Sequence, residues 1–581
     1  MSKRCWFSAF VLAGGCATAG PSRPLAEFPA PAELARIESQ PVALPDLGAA
    51  PLPAEGWTVA AAAATSAPDE TWTPTGPWGR HFQAAFASTG RKAQLTRAMA
   101  CVAEQMGRFY LQNDSAGPDL LQQFVLAACG SLAPAAGYQL LTTEVPAEAT
   151  DAQLIAHYAP QATRDLIAQV PAGATEIGSW AGRAKRRWIA LATFATRQVD
   201  VQPFSLVPDA SGIIRFEGRM HAEVSLYEAY INQGRHGVAA CHFDPLVERP
   251  QFRVWCQLAP DDQAAWFQLL VAPPRSMLAV PVLQAMARRD PGQPITLLLA
   301  SAPAVAAAPG APAAGDDGVV AFRGRLVAAL NAVRVEAGLA AVSVEAAQSD
   351  AAARLASQYF GAALGNRQQE ASTIALGLMA GWQVAGAIRN GSFFSAVVPG
   401  AGGTDAWLQW ALTLPMGRHT LLARDIDTLA VGSTSFRKAR GAAVLVASYR
   451  LHHGDDHSAD ATLLFQRISD ARQRAGLPPA QRMSGLRPTL AKEVARVQRG
   501  EQNARQALDA SLEAAVYRQH RDMRGLLIES MSVEDLEIPK EILNQATVSL
   551  EIAIAHYKPP GAAWAQMVIV LVFASAGGVA T

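Results

Sequence analysis

Two stretches of this chain carry nearly the same signal: LNAVRVEAGL at Leu330–Leu339 and ISDARQRAGL at Ile468–Leu477. Arg334 and Arg472 stand 138 positions apart, and the Gly-Leu pairs that follow them keep the same offset. Each stretch opens a helix-rich segment, and each segment closes with an apolar, strand-like run. The repetition predicts an architecture of duplicated modules, and by itself it indicates no reaction.

The closing runs extend the repeat to a third copy. AVGSTSFRKARGAAVLVASYR at 430–450 ends the earlier copy, AIAHYKPPGAAWAQMVIVLVF at 553–573 ends the later one, and EIGSWAGRAKRRWIALATFA lies at 176–195. All three have helices, a glycine or small residue, a basic turn and a buried strand, and Gly178 aligns with Gly432 at an offset of 254 positions. A period of about 130 residues is too long for a solenoid repeat and is typical of duplicated domains.

The amino terminus, MSKRCWFSAFVLAGGC, has the order of an export signal: a basic start, an apolar run and small residues. AGG directly before Cys16 resembles the lipobox of bacterial lipoproteins, although Ala13 replaces the usual Leu. The resemblance implies a signal peptide at 1–15 and a lipidated Cys16, and the alternative is an ordinary signal cut near Ala17 or Ala19. Two or three acyl chains, at about 0.8 kcal/mol for each buried methylene, would hold the protein on a membrane. Because Ala17 is not Asp, the usual sorting pattern favours the outer membrane.

The composition excludes nucleic acid as a partner. Hydrophobic residues make up 50% of the chain and charged residues 17%, and 49 basic side chains balance 49 acidic ones. This balance leaves no basic footprint for a polyanion. The apolar tract at 564–581 could be a tail anchor, but its dense part, Met567–Phe573, has the length and β-branching of a buried strand. We favour the strand.

The chain has six cysteines, of which two lie in the signal and at the lipidation site. The even remainder in an exported protein predicts disulfides, and three connectivities are possible. Local pairing is the economical one: Cys101 with Cys129, and Cys241 with Cys256. No CxxC motif occurs in the sequence, which argues against a zinc ribbon or a thioredoxin-like redox site.

Pro- and Ala-rich segments divide the chain. The segment at 16–78 lacks sustained periodicity and is predicted to tether the lipid to the folded body, and the segment at 301–318 is predicted to be a linker within that body. Apolar residues at helical spacing predict helices in the region that holds Cys101 and Cys129. In the next region RFEGRMHAEVSLY alternates as one half-buried strand, and the alternation around Cys256 turns that residue inward, which indicates a different domain. We predict a helical-rich module, a small antiparallel β-sandwich and two further modules, at 79–205, 206–300, 319–452 and 453–581.

The module at 319–452 carries short motifs in a familiar order. These are LNAVR and GL within 330–339, Trp410, PMGR at 415–418 with Leu421-Leu422, Val431-Gly432, and a closing hydrophobic strand. Together they resemble the bacterial branch of the CAP superfamily (cysteine-rich secretory proteins, antigen 5 and pathogenesis-related 1) over about residues 320–451. The other two copies match only at their ends. The resemblance implies an α/β and β multidomain chain with CAP-like α-β-α sandwich modules, one clear and two degenerate, exposed at the surface.

The same resemblance implies a cleft that has lost its ligands. Family members with an intact cleft use two His and two Glu, a set that suits zinc-like ions. Here Gly417 takes the place of the last histidine, Arg418 is kept, and His419 stands one residue beyond. The helix that often has the first histidine offers Tyr359 and its neighbours, and Glu370 is the one nearby carboxylate of that kind. We therefore expect no catalytic residue, metal or cofactor in this module, with Arg418 bonded to backbone carbonyls.

The densest set of ligand-type residues is HHGDDH, with His452, His453 and His457 as candidate metal ligands. Such a loop would have to converge on one ion, with partners that orient the imidazoles. We favour the simpler interpretation of a polar connector between two modules. A G-x-S-x-G elbow, a P-loop and H-E-x-x-H are absent from the sequence.

The predicted function is binding or scaffolding by an outer-membrane lipoprotein, without catalysis, in contact with an envelope protein or glycan. One alternative is a cell-wall or polypeptide hydrolase, which needs His419, Glu370 and a second carboxylate to converge. Another is an apolar-ligand-binding protein. That function needs a pocket lined by residues that we otherwise interpret as core: Met379, Trp382, Phe393 and Phe394.

Overall fold

The computed structural model describes residues 27–574, except 45–48, 61–71, 245, 275, 299–315, 366, 400–402, 437–440, 484, 520–522, 531–532, 534–535 and 537. Cys16 and most of the predicted linker at 301–318 therefore lie outside the described residues. These residues fall into two compact units: a main unit, 27–384 with 392–449, and a C-terminal unit, 385–391 with 450–574. The fold class is mixed α/β with several domains, as predicted.

The segment predicted as a tether contains two ordered elements. A helix, α1 (Pro31–Glu38), packs on later helices of the main unit, and a strand, β1 (Trp57–Val59), pairs antiparallel with the strand at Ile295–Leu297. Trp57 and Val59 are buried. The difference arises because both elements depend on partners more than 200 positions away, which local periodicity does not record.

The first module is a four-stranded sheet covered by helices. Its elements are α2 (Pro77–Ala87), β2 (Gln94–Leu95), α3 (Arg97–Asn113), α4 (Asp119–Ala128), β3 (Gly137–Glu144), α5 (Asp151–Ala168), β4 (Glu176–Ala184) and β5 (Arg187–Ala195). The strand order is β2-β4-β5-β3. Cys101 on α3 and Cys129 after α4 form a disulfide, with Cα atoms 5.8 Å apart, which is the pairing that the sequence favours.

The β domain consists of two antiparallel sheets, as predicted. Its strands are β6 (Val199–Val201), β7 (Ile213–Met220), β8 (Leu226–Gln233), β9 (Gly237–Ala240), β10 (His242–Phe243), β11 (Gln251–Gln257), β12 (Ala264–Ala272) and β13 (Val280–Arg288). The sheet orders are β10-β11-β7-β6 and β13-β12-β8-β9. Cys256 faces inward and is bonded to Cys241, with Cα atoms 4.5 Å apart. The following strand, β14 (Ile295–Leu297), pairs with β1.

Two sequence expectations for this domain need correction. The domain begins at Val199, before the predicted boundary at 206. The alternating run RFEGRMHAEVSLY does not form one strand, because β7 ends at Met220 and β8 begins at Leu226. These strands belong to different sheets of the sandwich, so the chain has to leave one sheet before it enters the other.

The second and third modules repeat the plan of the first. The second contains α6 (Asp316–Glu336), β15 (Ser343–Val344), α7 (Ala346–Leu364), α8 (Gln368–Ala380), β16 (Ile388–Pro399), α9 (Gly403–Thr413), α10 (Pro415–Leu422), β17 (Thr428–Thr434) and β18 (Gly441–Leu451). The third contains α11 (Ser458–Arg474), β19 (Gln481–Arg482), α12 (Arg487–Gln498), α13 (Ala504–Gln519), β20 (Arg524–Ser530), α14 (Lys540–Leu543), β21 (Ser549–Tyr557) and β22 (Gln566–Ala574).

The strand order is the same in all three modules: the short first strand, the third, the fourth and the second. In each module the short strand pairs parallel with the third, and the third pairs antiparallel with the fourth. β22 is buried along its whole length, which confirms the strand favoured for Met567–Phe573. Among the described helices, none is both long and apolar enough to cross a bilayer.

The strand register corrects one alignment. The pairings of the short strands place Gly178 level with Ala430, two positions before Gly432. An added Cβ at Gly178 would stand 2.1 Å from the backbone of α3, and one at Gly432 would stand 2.4 Å from the backbone of α7, the helix that follows the short strand in each module. A shift of two positions keeps a residue on the same face of a strand. Both glycines therefore allow the helix after the short strand to approach the sheet closely, and their contacts fall at neighbouring turns of that helix.

The repeated arginine ties the first helix of its module to the rest. Arg334 is fully buried and donates through Nε to the carbonyl of Ala340 at 2.7 Å. Its Nη1 donates to the carbonyls of Leu421 at 2.7 Å and Ala423 at 3.2 Å, at the end of α10. The side chain therefore fixes the helix just before the third strand.

Arg472 repeats this arrangement in the third module. It is fully buried and donates to the carbonyl six residues ahead, Pro478, at 2.9 Å, which matches the step from Arg334 to Ala340. Further bonds of 2.6 to 3.1 Å reach three carbonyls at and after the end of α14: Ile542, Gln545 and Ala546.

The glycine of each repeat ends the helix. Gly338 and Gly476 have left-handed φ of 69° and 75°, and the next amide donates to the carbonyl of the repeated arginine at 2.8 and 2.9 Å. This is a Schellman-type cap, which needs a residue that tolerates positive φ. The repeated motif thus encodes a helix end and a buried arginine, Arg334 or Arg472, which with the carbonyls that it bonds forms the clamp of its module.

Candidate functional site

The degenerate cleft motif lies at the start of α10. Gly417 has no room for a side chain, because an added Cβ would stand 1.9 Å from the carbonyl oxygen of Ala411 in α9. Arg418 is buried, and its Nε donates to the carbonyl of Leu412 at 2.6 Å. The motif is therefore part of the packing between α9 and α10.

Arg418 also links the second module to the β domain. Its Nη1 donates to the carbonyls of Gly234 at 3.0 Å and Gly237 at 2.7 Å, on the hairpin between β8 and β9. Burial lowers the pKa of the guanidinium to about 10, so the group stays charged at neutral pH. The bonding to backbone carbonyls agrees with the role predicted for this residue, but the acceptors of Nη1 all belong to another domain.

His419 contacts the same domain. Its ring stacks on Tyr230 with centroids 4.1 Å apart, and its Nε2 lies 3.3 Å from the Tyr230 hydroxyl. Glu370, the carboxylate that a rearranged site would need, is paired instead with Arg367 at 2.7 Å, at the start of α8. The two residues of the hydrolase hypothesis thus contact different elements.

A cavity of about 280 Å³ opens in the main unit where α7, α8, β16 and the start of α10 face α4, β12 and the start of β13. Its aromatic and apolar walls include Tyr359, Phe393, Phe394, Trp410, Leu414 and Met416. Polar groups lie around them: Asp119, Gln123, Gln268, Gln368, Ser372 and Ser395. The cavity therefore brings together Tyr359 and the segment directly before Gly417.

Hydrogen bonds hold several of the polar groups in place. The Tyr359 hydroxyl bonds to Ser395 at 2.7 Å, and burial raises the pKa of Tyr359, so the phenol stays neutral. Gln268 accepts from the amide of Met416 at 3.1 Å. Of the apolar set predicted for a pocket, Phe393 and Phe394 line the cavity, whereas Met379 and Trp382 do not. The Trp382 indole donates to the carbonyl of Pro29 at 3.1 Å.

A second cluster lies in the C-terminal unit. His452 follows β18, His457 directly precedes α11, and His556 lies on β21. Their ligand atoms all stand within 4.8 Å of one another. Nε2 of His457 is 2.8 Å from Nδ1 of His556, and the rings of His452 and His556 are stacked with centroids 4.5 Å apart. His453 is exposed and does not belong to the cluster.

The cluster differs from the sequence-based candidates in one residue. His556 takes the place expected for His453. It was missed because it stands 99 positions after His457, within a strand-like run that has no other histidine and no cysteine. The alternation of that run could have shown only that the imidazole lies on one face of β21.

The surroundings of the cluster favour neutral imidazoles. Burial, and then the neighbouring imidazoles, lower the pKa of His452 to about 3, and burial also lowers the pKa of His556. Asp460 accepts a hydrogen bond from Nδ1 of His457 at 2.8 Å. Nε2 of His452 is buried and has no hydrogen-bond partner among the described residues. Two imidazoles are therefore available as uncharged nitrogen donors at neutral pH.

No family model matches the chain, and no curated protein matches it. One solved structure that matches is an extracellular protein containing an SCP domain from Bacillus anthracis str. Ames, at 11% identity. The match covers 43% of this chain and 81% of that one, with a TM-score of 0.17. A score this low carries no argument about fold or function.

Proposed function

We propose that the protein is an outer-membrane lipoprotein, anchored through Cys16, whose CAP-like second module binds a small uncharged ligand in the cavity of the main unit and does not catalyse a reaction there. The ligand has an apolar body with a few hydrogen-bonding groups, as a fragment of an envelope molecule would. The observation that carries the proposal is the composition of the cavity walls, which are aromatic and apolar with amides and hydroxyls between them. Such a lining is typical of ligand-binding pockets.

The chemistry of the lining disfavours hydrolysis. Among the described lining residues there is no histidine, and Asp119 is the one carboxylate. General acid–base hydrolysis needs a positioned base within hydrogen-bond reach of the reacting group, and it usually needs a second group in the opposite protonation state. His419, which could serve as a base, is stacked on Tyr230.

Ligand binding can be tested with a neutral apolar fluorophore, N-phenyl-1-naphthylamine. Ser372 lines the cavity and is half-buried, so Ser372→Trp should fill part of the space. Thr373 is equally half-buried and is absent from the lining, which makes Thr373→Trp the matched control. We expect saturable fluorescence in the wild type and in Thr373→Trp, and its loss in Ser372→Trp. Equal binding by both variants would contradict the cavity as the site.

The anchor can be tested separately by metabolic labelling with palmitate. Wild-type protein should incorporate the label and fractionate with membranes, and Cys16→Ser should do neither, since the thiol accepts the first lipid. Cys5→Ser is the matched control, because Cys5 lies within the same signal. A labelled, membrane-bound Cys16→Ser protein would show that the lipobox interpretation is wrong.

A further inference from the structure

We propose that His452, His457 and His556 form a binding site for one Zn²⁺ ion in the C-terminal unit. Three segments that are separate in sequence bring these imidazoles together: the end of β18, the residue before α11, and β21. The site is independent of the cavity in the main unit and involves none of the residues of the degenerate cleft motif. It therefore goes beyond the function proposed above.

The distances suit a three-imidazole site after small adjustments. Tetrahedral ligands about 2.1 Å from zinc stand about 3.4 Å from one another. The nitrogens of His457 and His556 are 2.8 Å apart, and all three ligand atoms lie within 4.8 Å. The first pair has to open slightly and His452 has to move slightly inward. Both movements require rotation of the imidazole rings about their side-chain bonds. This rotation has to open the stack between His452 and His556, whose rings are nearly parallel with centroids 4.5 Å apart.

The hydrogen-bond pattern orients one ligand for the ion. Asp460 holds the Nδ1 proton of His457 at 2.8 Å, which leaves the lone pair of Nε2 directed toward the other two rings. A carboxylate behind a coordinating histidine is the usual arrangement at zinc sites, where it fixes the tautomer and raises the basicity of the ligand. Asp460 is therefore a positioning residue and not a ligand.

The third ligand supplies the strongest reason to expect an ion. Nε2 of His452 is buried and has no hydrogen-bond partner among the described residues, although buried polar atoms are nearly always paired. Packing of three rings alone gives no partner to this nitrogen, whereas a zinc ion between the rings would. Three imidazoles and no thiolate suit zinc and its first-row neighbours better than calcium or magnesium, which prefer oxygen.

The charges around the cluster are compatible with a divalent cation. Arg389 acts on His452 as a positive charge, while Asp460 acts on His452 and Asp455 on His556 as negative ones. The two carboxylates outweigh the guanidinium in number. The fourth coordination position would fall to water or to another donor, as in other sites with three protein ligands.

The direct test is calorimetric titration of the metal-free full chain with Zn²⁺. We expect one ion per chain with sub-micromolar affinity. His556→Ala should weaken binding by more than about 100-fold, and Asp460→Asn by about 10- to 100-fold, the usual range for a partner behind a ligand. His453→Ala and His419→Ala are matched controls and should bind zinc as the wild type does, since neither residue belongs to the cluster.

Cobalt gives a second measurement that does not depend on any variant folding. Co²⁺ added to the metal-free wild type should produce a visible d–d absorption band that saturates with added metal and is typical of Co²⁺ bound by nitrogen ligands in a site of low symmetry. Excess Zn²⁺ should displace the Co²⁺ and abolish the band. Zinc should also raise the melting temperature of the wild type by several degrees, because the three imidazoles come together only in the folded state and the ion therefore binds that state more tightly. No saturable band, unchanged affinity in His556→Ala, or loss of binding in His453→Ala would each overturn the proposal. None of these outcomes bears on ligand binding in the cavity.

Discussion

The second and third modules share a skeleton and differ in what is attached to it. Both have the same strand order, a helix capped by a left-handed glycine, and a buried arginine that bonds to the helix end before the third strand. In the second module the segment after α9 contacts the β domain through Arg418 and His419. The third module instead carries two of the three clustered histidines, His457 and His556.

This difference distinguishes the interactions that both modules keep, which involve the backbone, from the side chains that differ between them. The acceptors of the repeated arginine are backbone carbonyls, which every residue type provides, so the clamp survives while the surrounding side chains change. The cavity and the histidine cluster depend on side chains, and the histidine cluster occurs once among the described residues. Residues that the two modules share therefore indicate the fold, and residues that differ between them form the candidate sites.

The largest effect is expected from removing the clamp of the third module. Arg472→Ala leaves four carbonyls without this donor, and at about 1 kcal/mol for each the free energy of unfolding should fall by about 4 kcal/mol. Arg334→Ala removes three such bonds and should cost about 3 kcal/mol. Urea denaturation followed by hydrogen exchange measures the loss and shows which unit opens.

Arg474→Ala is the matched control for Arg472→Ala. Arg474 is exposed on the same helix, two positions later, so its loss should change the stability by less than about 0.5 kcal/mol. If the control and Arg472→Ala were equally mild, the shared clamp would not be the basis of the repeat.

The next largest effect is expected from reduction of the disulfides, which should destabilise the main unit only. Both bonds lie in the main unit, and the chain has no cysteine after Cys256. A closed loop of about 15 residues contributes about 3 kcal/mol in the chain-entropy model, and a loop of 28 slightly more. Reductant should therefore speed hydrogen exchange in the main unit and leave residues 450–574 unchanged. Free thiols at Cys101 or Cys241 in peptide maps of the untreated protein would contradict the pairing.

Much of the skeleton could be predicted from the sequence because its signals are local. The repeated Arg and Gly-Leu, the β-branched run of β22, and the alternation that turns Cys256 inward each depend on neighbouring residues. The ordered α1 and β1 could not be predicted, since their partners are distant in sequence. His556 was missed for the same reason, and the two-residue shift between Gly178 and Gly432 became visible only through strand pairing.

A smaller change in stability is expected at Gly417, and it tests whether the motif at the start of α10 is packed against α9 or leaves space for a ligand. Gly417→Ala brings a methyl group onto the carbonyl of Ala411, and such overpacking costs about 2 kcal/mol. Gly324→Ala is the matched control: Gly324 is exposed on α6 with open space around it, so the change should stabilise the helix by about 0.5–1 kcal/mol. Gly417→His, which supplies the ligand of the family motif, should for the same reason destabilise the module without creating zinc affinity.

The smallest effect concerns the contact between the β8–β9 hairpin and α6, which belongs to the second module and has no described counterpart in the third. His236 on this hairpin stands 3.7 Å from the Glu336 carboxylate, and both of its ring nitrogens lack hydrogen-bond partners among the described residues. Burial lowers the pKa of His236 below its ordinary value of 6.5; Glu336 acts in the opposite direction, and Arg235 and Arg418 add to the lowering. The unfolded chain therefore takes up a proton near pH 6.5 while the folded chain does not, so stability is present above that pH and declines as the pH falls through it.

His236→Gln should flatten this decline of the unfolding free energy, measured by urea denaturation between pH 7.5 and about pH 5.5. His242→Gln, at an exposed histidine of the same domain, should leave the decline unchanged. An undiminished decline in His236→Gln would assign the pH dependence to other groups and remove this contact from the features that set the second module apart.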